Sequence, residues 1–461
     1  YYNLTNGYSR EVSFFGTGTY SWKGRYTING TVRYEGSNRL GKARSARWLP
    51  TWNISGAWNA HEEAWFKNVF KDVFTHATLK ASYSLTGDEP SVTNSQAIIK
   101  SANPWRPFAT DKESDLYISD FANPDLTYEK KHEFNLGADL GFLNNRLNVT
   151  FDWYKRNNYD LIGPLTTNGS TGVITKFANV ASMKSSGEEF SISSKNVVTK
   201  DFQWNTDFIF SHVKTKVTSL DSRARIIDMI TGTGFTMEGY PYRSLFSIDF
   251  KGLNESGIPT IINEKGELTT SDIDFQSRVV KYLKYEGPTD PTVTGSFGNT
   301  FTYKGWHLNV FATYAFGNKV RLDAAFHSSY SDLDAMPKEF KNRWTKAGDE
   351  ASTTIPAIAD LRQIQNDTYL SYAYNAYNRS TDRVAKGDFI RMKEISLAYD
   401  FPQAFAKYLS LNSLNLKLQA TNLFLIYSDK KLNGQDPEFF NAGGVAVPMA
   451  RQFTLTLRVG L

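Results

Sequence analysis

Apolar and polar side chains alternate with a period of two at the end of the chain, and that pattern sets the expectation for everything before it. From Arg451 to Leu461, Phe453, Leu455, Leu457, Val459 and Leu461 fall on one face, while Gln452, Thr454, Thr456, Arg458 and Gly460 fall on the other. This is a strand with one apolar side. Strands of soluble sheets are typically ~5 to 6 residues long, and this one runs to the ~9 to 11 residues that a tilted strand needs to cross a bilayer. The expected fold is therefore all-β, a transmembrane antiparallel β-barrel with its apolar face toward lipid and its polar face toward a wet lumen.

About thirteen segments repeat the pattern along the chain. In the first, Val12, Phe14, Gly16, Gly18, Tyr20 and Trp22 alternate with Ser13, Thr17, Thr19 and Ser21. In the second, Tyr26, Ile28, Val32 and Tyr34 oppose Thr27, Asn29, Thr31, Arg33 and Glu35; in the third, Trp48, Trp52, Ile54 and Trp58 oppose Thr51, Asn53, Ser55 and Asn59. His61 to Asp72 breaks the period, and its spacing at Trp65/Val69 and Phe66/Phe70 predicts a short helix in a turn, with a membrane-surface helix as the alternative. The fourth segment sets Leu79, Ala81, Tyr83 and Leu85 against Thr78, Lys80, Ser82 and Ser84. The clearest follows, with Phe134, Leu136, Ala138, Leu140 and Phe142 opposite Glu133, Asn135, Gly137 and Asp139. Asn144-Asn145-Arg146 is a hairpin signal, and Leu147, Val149, Phe151 and Trp153 return the code. Further strands are predicted at 189–195, 204–211, 293–303, 308–316, 389–401, 414–425 and 451–461.

The connections sort by length. Short links at 22–25, 143–146, 197–201 and 304–306 alternate with long ones at 87–128, 159–184, 215–290, 318–386 and 428–450. Outer-membrane barrels show this asymmetry, with short periplasmic turns and long outside loops. A soluble sandwich, solenoid or adhesin stalk would alternate too. It would not combine strand length, sorted loops and strand-end aromatics such as Trp48, Trp58, Tyr154, Tyr303 and Tyr399.

Composition agrees. Of 461 residues, 15% are aromatic, as expected where aromatic girdles mark both membrane interfaces. Mean hydropathy is −0.44, and no stretch of ~18 apolar residues reads as a helical span. The absence of cysteine suits an exported protein, and with a formal charge of +5 no Lys/Arg run reads as a nucleic-acid arm. Without an initiator Met or a leader at its start, the chain is expected to be a mature product or a piece of something longer.

Catalytic chemistry is not expected, nor a metal or cofactor: the six His are scattered without ligand spacing. Asp436-Pro437-Glu438 reads as a loop turn rather than an acid/base pair, and residues 263–267 as a plain turn rather than a cation loop. Function is expected from the lumen and the outer loops. Arg33, Glu35, Lys80, Glu133, Asp139, Asp152, Asp207, Lys417 and Arg458 occupy the polar face, each as a hydrated wall residue before a ligand contact. The loops carry Trp105, Phe108, Tyr240, Tyr242, Phe326, Tyr330, Tyr369, Tyr372, Tyr374, Tyr377, Phe439 and Phe440. Such rings can stack on sugars or peptide side chains or hold a protein lid, and packing of the loops on themselves would use the same residues.

The segment GDFIRMKEISLAYDFP, from Gly387 to Pro402, resembles the hallmark strand of the SusC/RagA family of TonB-dependent outer-membrane transporters of Bacteroidetes. Collinear stretches resemble the same family: RYEGSNRLG from Arg33, NPDLTYEKK from Asn123, NNRLNVTFDWYKRNNYDLI from Asn144, NVASMKSSGEEF from Asn179, EGYPYRSLF from Glu238, NRWTKAGDE from Asn342, ATNLFLIY from Ala420 and GQDPE from Gly434. Leu461 departs from the aromatic that usually ends such barrels, which puts an assembly signal in doubt but not the fold. The resemblance implies that residues 1–461 are the C-terminal part of a receptor barrel of 22 strands, with the plug and first strands upstream. An odd number of strands agrees, because open edges in lipid would leave backbone groups unpaired. It further implies import of oligosaccharides or oligopeptides across the bacterial outer membrane, with a SusD-like surface lipoprotein on the long loops, TonB reached through the upstream part, and pairing of such complexes as dimers. A passive porin and a surface-binding barrel are the alternatives.

Overall fold

The computed structural model describes residues 10–70, 73–89, 95–102, 115–166, 175–220, 224–324, 336, 338–359, 361–366, 369–439 and 448–461. Thirteen of their strands form one sheet in which each strand pairs with its neighbours in the chain order of the set. They are β1 (Glu11–Trp22), β2 (Tyr26–Ser37), β3 (Trp48–Asn59), β4 (Phe74–Asp88), β5 (Glu129–Phe142), β6 (Leu147–Thr166), β7 (Thr175–Val198), β8 (Phe202–Leu220), β9 (Val293–Tyr303), β10 (Trp306–Phe316), β11 (Phe389–Asp400), β12 (Ser413–Ser428) and β13 (Gln452–Gly460). Every expected segment is a strand of this sheet. Two tight turns show why the links close where they do. Lys23-Gly24 and Lys304-Gly305 both hold positive φ at each position, the geometry whose twist matches that of the flanking strands.

The strands differ from expectation mainly at the long-loop end. β6, β7 and β8 run to 20, 24 and 19 residues, so much of the connection expected at 159–184 is ladder, and the next one starts later than residue 215. Near Arg156-Asn157-Asn158 the alternation is lost while the strand continues. Beyond the hydrocarbon both faces meet water, so side-chain pattern no longer tracks the backbone, whose pairing needs no lipid.

The chain divides into two compact units. In the first, residues 1–188 with 214–223, the wall strands carry a small outer core of Leu40, Leu49, Leu126 and Tyr128. In the second, residues 189–213 with 224–461, loop residues build a larger one from Ile226, Met229, Ile230, Phe246, Ile248, Ile261, Ile273, Leu283 and Ala376. Around it lie the pair Ser244–Ser247 with Lys284–Pro288, a three-stranded sheet from Phe250–Leu253, Pro259–Ile262 and Leu268–Thr269, and the helix Leu370–Asn378.

Candidate functional site: the polar wall and the outer loops

Register fixes which side chains share a face. In the first unit Lys80 lies opposite Ala57 and Gly137, Glu133 opposite Ser84 and Arg156, and Asp139 opposite Thr78 and Thr150. Arg33 and Glu35 join the same face through Thr51 and Leu49, and Asp152 through Gly137. The six charges expected here thus stand on one polar surface. Five of them are ion-paired: Lys80 Nζ to Asp139 Oδ2 at 2.8 Å, Arg33 to Glu35 at 2.6 Å, and Glu133 between Lys131 at 3.1 Å and Arg156 at 2.9 Å. Gly137 makes the crowding possible, since a Cβ there would meet Asp152 Oδ1 at 2.6 Å and Lys80 Cε at 3.2 Å. Lys131 and Arg156 were missed in the sequence, although Lys131 has the parity of Glu133.

In the second unit Asp207 lies opposite Gly298, Lys417 opposite Ala398 and Thr456, and Arg458 opposite Asn415. These three also share one polar face. Asn415 donates to Asp400 Oδ1 at 2.7 Å, and His307 Nε2 lies 2.8 Å from Asp400 Oδ2. Lys417 reaches Glu394 at 3.7 Å. The opposite faces are apolar and uncovered by protein: Ile28, Ile54, Leu136, Leu418 and Leu455 are 42–69% exposed. Phe15 breaks the rule, standing exposed on the polar side opposite Arg33.

The loop aromatics separate into two groups. Tyr240 packs on Phe246 and Tyr285, with centroids 5.1 and 5.0 Å away, and Tyr374 donates to the Ala357 carbonyl at 2.8 Å while packing beside Phe340, Ile355 and Tyr377. Tyr377 is fully buried, its hydroxyl on Asp382 at 2.9 Å, and burial raises its pKa. These three are loop core. Tyr242, Tyr369 and Tyr372 are exposed, and Tyr372 links Tyr369 at 6.0 Å to Phe275 at 5.9 Å in an aromatic strip. Trp105, Phe108, Phe326, Tyr330 and Phe440 lie outside the described residues, and Phe439 ends the one-turn helix Pro437–Phe439. Beside the core a cavity of about 620 Å³ is lined by Asn342, Arg343, Thr353, Asp382, Arg383 and Lys431 among others. That is ligand-sized, polar, and without an aromatic platform.

The stretches that carry the family resemblance act as fasteners. Asn179 accepts from the Thr127 amide at 3.0 Å and donates to the Thr127 and Asp160 carbonyls. Arg391 of the hallmark strand, buried on β11, is clamped by Asp436 and by Glu438, the latter at 2.6 Å. The Asp436-Pro437-Glu438 turn therefore neutralises an arginine, and a free acid/base pair is excluded. Trp344 donates to Glu350 at 2.9 Å and covers Gly257, where φ is +73° and a Cβ would fall 2.4 Å from the ring. Asn263 is a plain turn, its Oδ1 accepting the Lys265 and Glu267 amides at 3.0 and 2.9 Å. In a short strand of the loop body, Arg321 donates to the Phe246 carbonyl at 2.6 Å, and burial pushes its pKa down to about 10.

A sheet of bilayer-length strands, bare and apolar on one side and ion-paired on the other, is a membrane barrel wall. The chain belongs to the family described as TonB dependent receptor-like, beta-barrel, whose profile matches residues 1–336. It is a family of transporters, not of enzymes. The wall lies in the outer membrane and crosses it with strands; no helix among the described residues is long and apolar enough to cross. Relatives include TonB-dependent receptor P3 of Formosa agariphila, 28% identical over 93% of this chain and 42% of that protein, and TonB-dependent receptor SusC of Bacteroides thetaiotaomicron, 27% identical over 98% and 43%. The chain thus spans less than half the length of these curated relatives. The solved RagAB peptide transporter matches with TM-score 0.77 over 98% of this chain and 47% of that one; at 23% identity this shows the fold.

Proposed function

We propose that this chain is the wall and outer docking rim of an energised importer of oligosaccharides or oligopeptides, working with a SusD-like surface lipoprotein and with TonB. The exposed rings of Tyr242, Tyr369 and Tyr372 carry this reading, the last of them resting on the half-buried Phe275. Loops that only needed to fold would hide those rings, as they hide Tyr377 and pack Tyr240 against the core. The relatives' names support the receptor class, and RagAB is named a peptide transporter. The nine charges of the polar faces serve as a hydrated conduit wall, four cationic and five anionic, which leaves little net charge to trap a passing substrate. The coverage of less than half of each relative favours a further barrel part and plug on the same protein. Shortening residues 318–386 would remove Ala376 and Tyr377 from two cores, so point changes are the sharper test. Tyr242→Ser with Tyr369→Ser and Tyr372→Ser in the full-length protein is expected to lower co-purification of the lipoprotein, or substrate uptake, at least tenfold with heat-modifiable gel mobility unchanged. Undiminished capture and uptake, or swelling of liposomes by the full-length protein without an energy source, would overturn the reading.

A further inference from the structure

The connection between β3 and β4 is too apolar for a turn in water. Its helix Ala64–Phe70 has no buried residue. At 100° per residue, Trp65, Val69, Phe66 and Phe70 fall on one arc, and Lys67 and Asn68 on the other. Trp65 is 53% exposed and Val69 67%, and Val73 and Leu143 beside them are 49% and 58% exposed. These side chains do not stand alone. The Trp65 ring lies 6.4 Å from Trp58, and a chain of rings runs from Phe66 to Phe74 at 5.6 Å and on to Phe142 at 4.6 Å. Trp58 and Phe142 belong by register to the same apolar face as Leu79, Leu136 and Phe134, so the helix extends the lipid-facing surface past the strand ends.

The polar groups of the connection find their partners within the protein. Glu63, buried at the head of the helix, accepts from Tyr26 Oη at 2.5 Å and Trp58 Nε1 at 3.4 Å and pairs with Arg25 at 3.1 Å. Lys67 pairs with Glu62 at 2.7 Å, and His61 reaches back to the Ala77 carbonyl at 3.1 Å. An apolar body whose polar tips are tied off within the protein is the arrangement that suits a headgroup boundary.

We propose that this connection is a membrane foot: the Trp65/Phe66/Val69/Phe70 face is seated in the interface of the periplasmic leaflet, with phospholipid as its occupant. Continuity with the lipid-facing sheet selects lipid over a second copy of the chain or a periplasmic partner. The foot sets the height at which this part of the wall sits in the leaflet, because lifting it out would expose the whole arc to water.

Site-directed spin labelling tests this directly: residues 1–461 hold no cysteine, and any cysteine elsewhere in the full-length protein is replaced by serine. Val69→Cys and Lys67→Cys, each in the full-length protein, are labelled with a nitroxide and reconstituted into phosphatidylethanolamine/phosphatidylglycerol vesicles. Collision with oxygen and with a water-soluble nickel chelate is then compared. The ratio of oxygen to nickel accessibility is expected to be at least threefold higher at position 69 than at 67. Equal ratios, as for a turn in water, would overturn the proposal, and so would a position 69 shielded from both reagents, as under a protein partner. Heat-modifiable mobility reports folding; should Val69→Cys fail that check, Trp65→Cys on the same arc carries the same expectation.

Discussion

The sheet and the loop body of the second unit treat the same kinds of side chain in opposite ways. On β5 Leu136 is 42% exposed, and on β12 Leu418 is 52% exposed, with nothing of the protein over them. In the loop body Ile248 and Ile261 are fully buried, and Phe246 nearly so. One set of residues uses lipid as its solvent and the other must make its own. The polar groups follow suit. Arg321 and Arg383 are buried in the loop body against carbonyls and a carboxylate, whereas wall charges such as Lys80 and Asp139 stay at 39% and 33% side-chain exposure on the wet face.

Three substitutions or conditions would break or sharpen that contrast. The largest effect is expected where a wall strand meets a loop. Arg391→Met strips the partner from a buried Asp436, and removing one half of a buried pair costs about 3–5 kcal/mol; limited proteolysis of residues 429–439 should accelerate, and Arg391→Met with Asp436→Leu should recover most of the loss. Next comes the outward face. Leu136→Arg is expected to destabilise the reconstituted barrel by about 2–4 kcal/mol in denaturant titrations, because a cation near the bilayer midplane faces hydrocarbon, while Asn135→Arg on the wet face should shift little. Equal effects at 135 and 136 would mean that the two faces are not in different solvents.

The smallest effect belongs to pH. Asp228 sits in the one-turn helix Ile226–Met229 of the loop body and is held below its ordinary pKa of 3.8, first by the Arg225 guanidinium, which donates to both its oxygens at 2.9 Å. A depressed folded value means that this stabilisation is fully present at neutral pH and is lost as pH falls below 3.8 through the folded pKa. Protection of the amides over residues 225–230, taken relative to their intrinsic exchange rates, should fall across that acid range in the parent and stay level in Asp228→Asn.

Much of the wall was legible because lipid enforces a period of two and each slip in register would turn a whole strand inside out. Phe134 to Phe142 could be assigned face by face from its alternation. The outer parts of β6, β7 and β8 were not legible, since water on both sides removes the alternation while the ladder persists. The loop rings were ambiguous for a related reason. Tyr240, Tyr374 and Tyr372 look alike in sequence, and only the chain's path decides that the first two are packed and the third is bare.

The family signature itself has a similar split. Asn179, Trp344, Arg391 and Asp436 announce which fold this is because they fasten it, which is also why they are silent about what passes through it. The sequence by itself determined the strands, their faces and the sorting of short and long connections, because solvent contrast acts residue by residue. Only the tertiary structure decided which charges pair across strands, which loop rings are buried and which exposed, and that the connection after Asn59 continues the apolar surface, because each of these depends on residues brought together from distant parts of the chain.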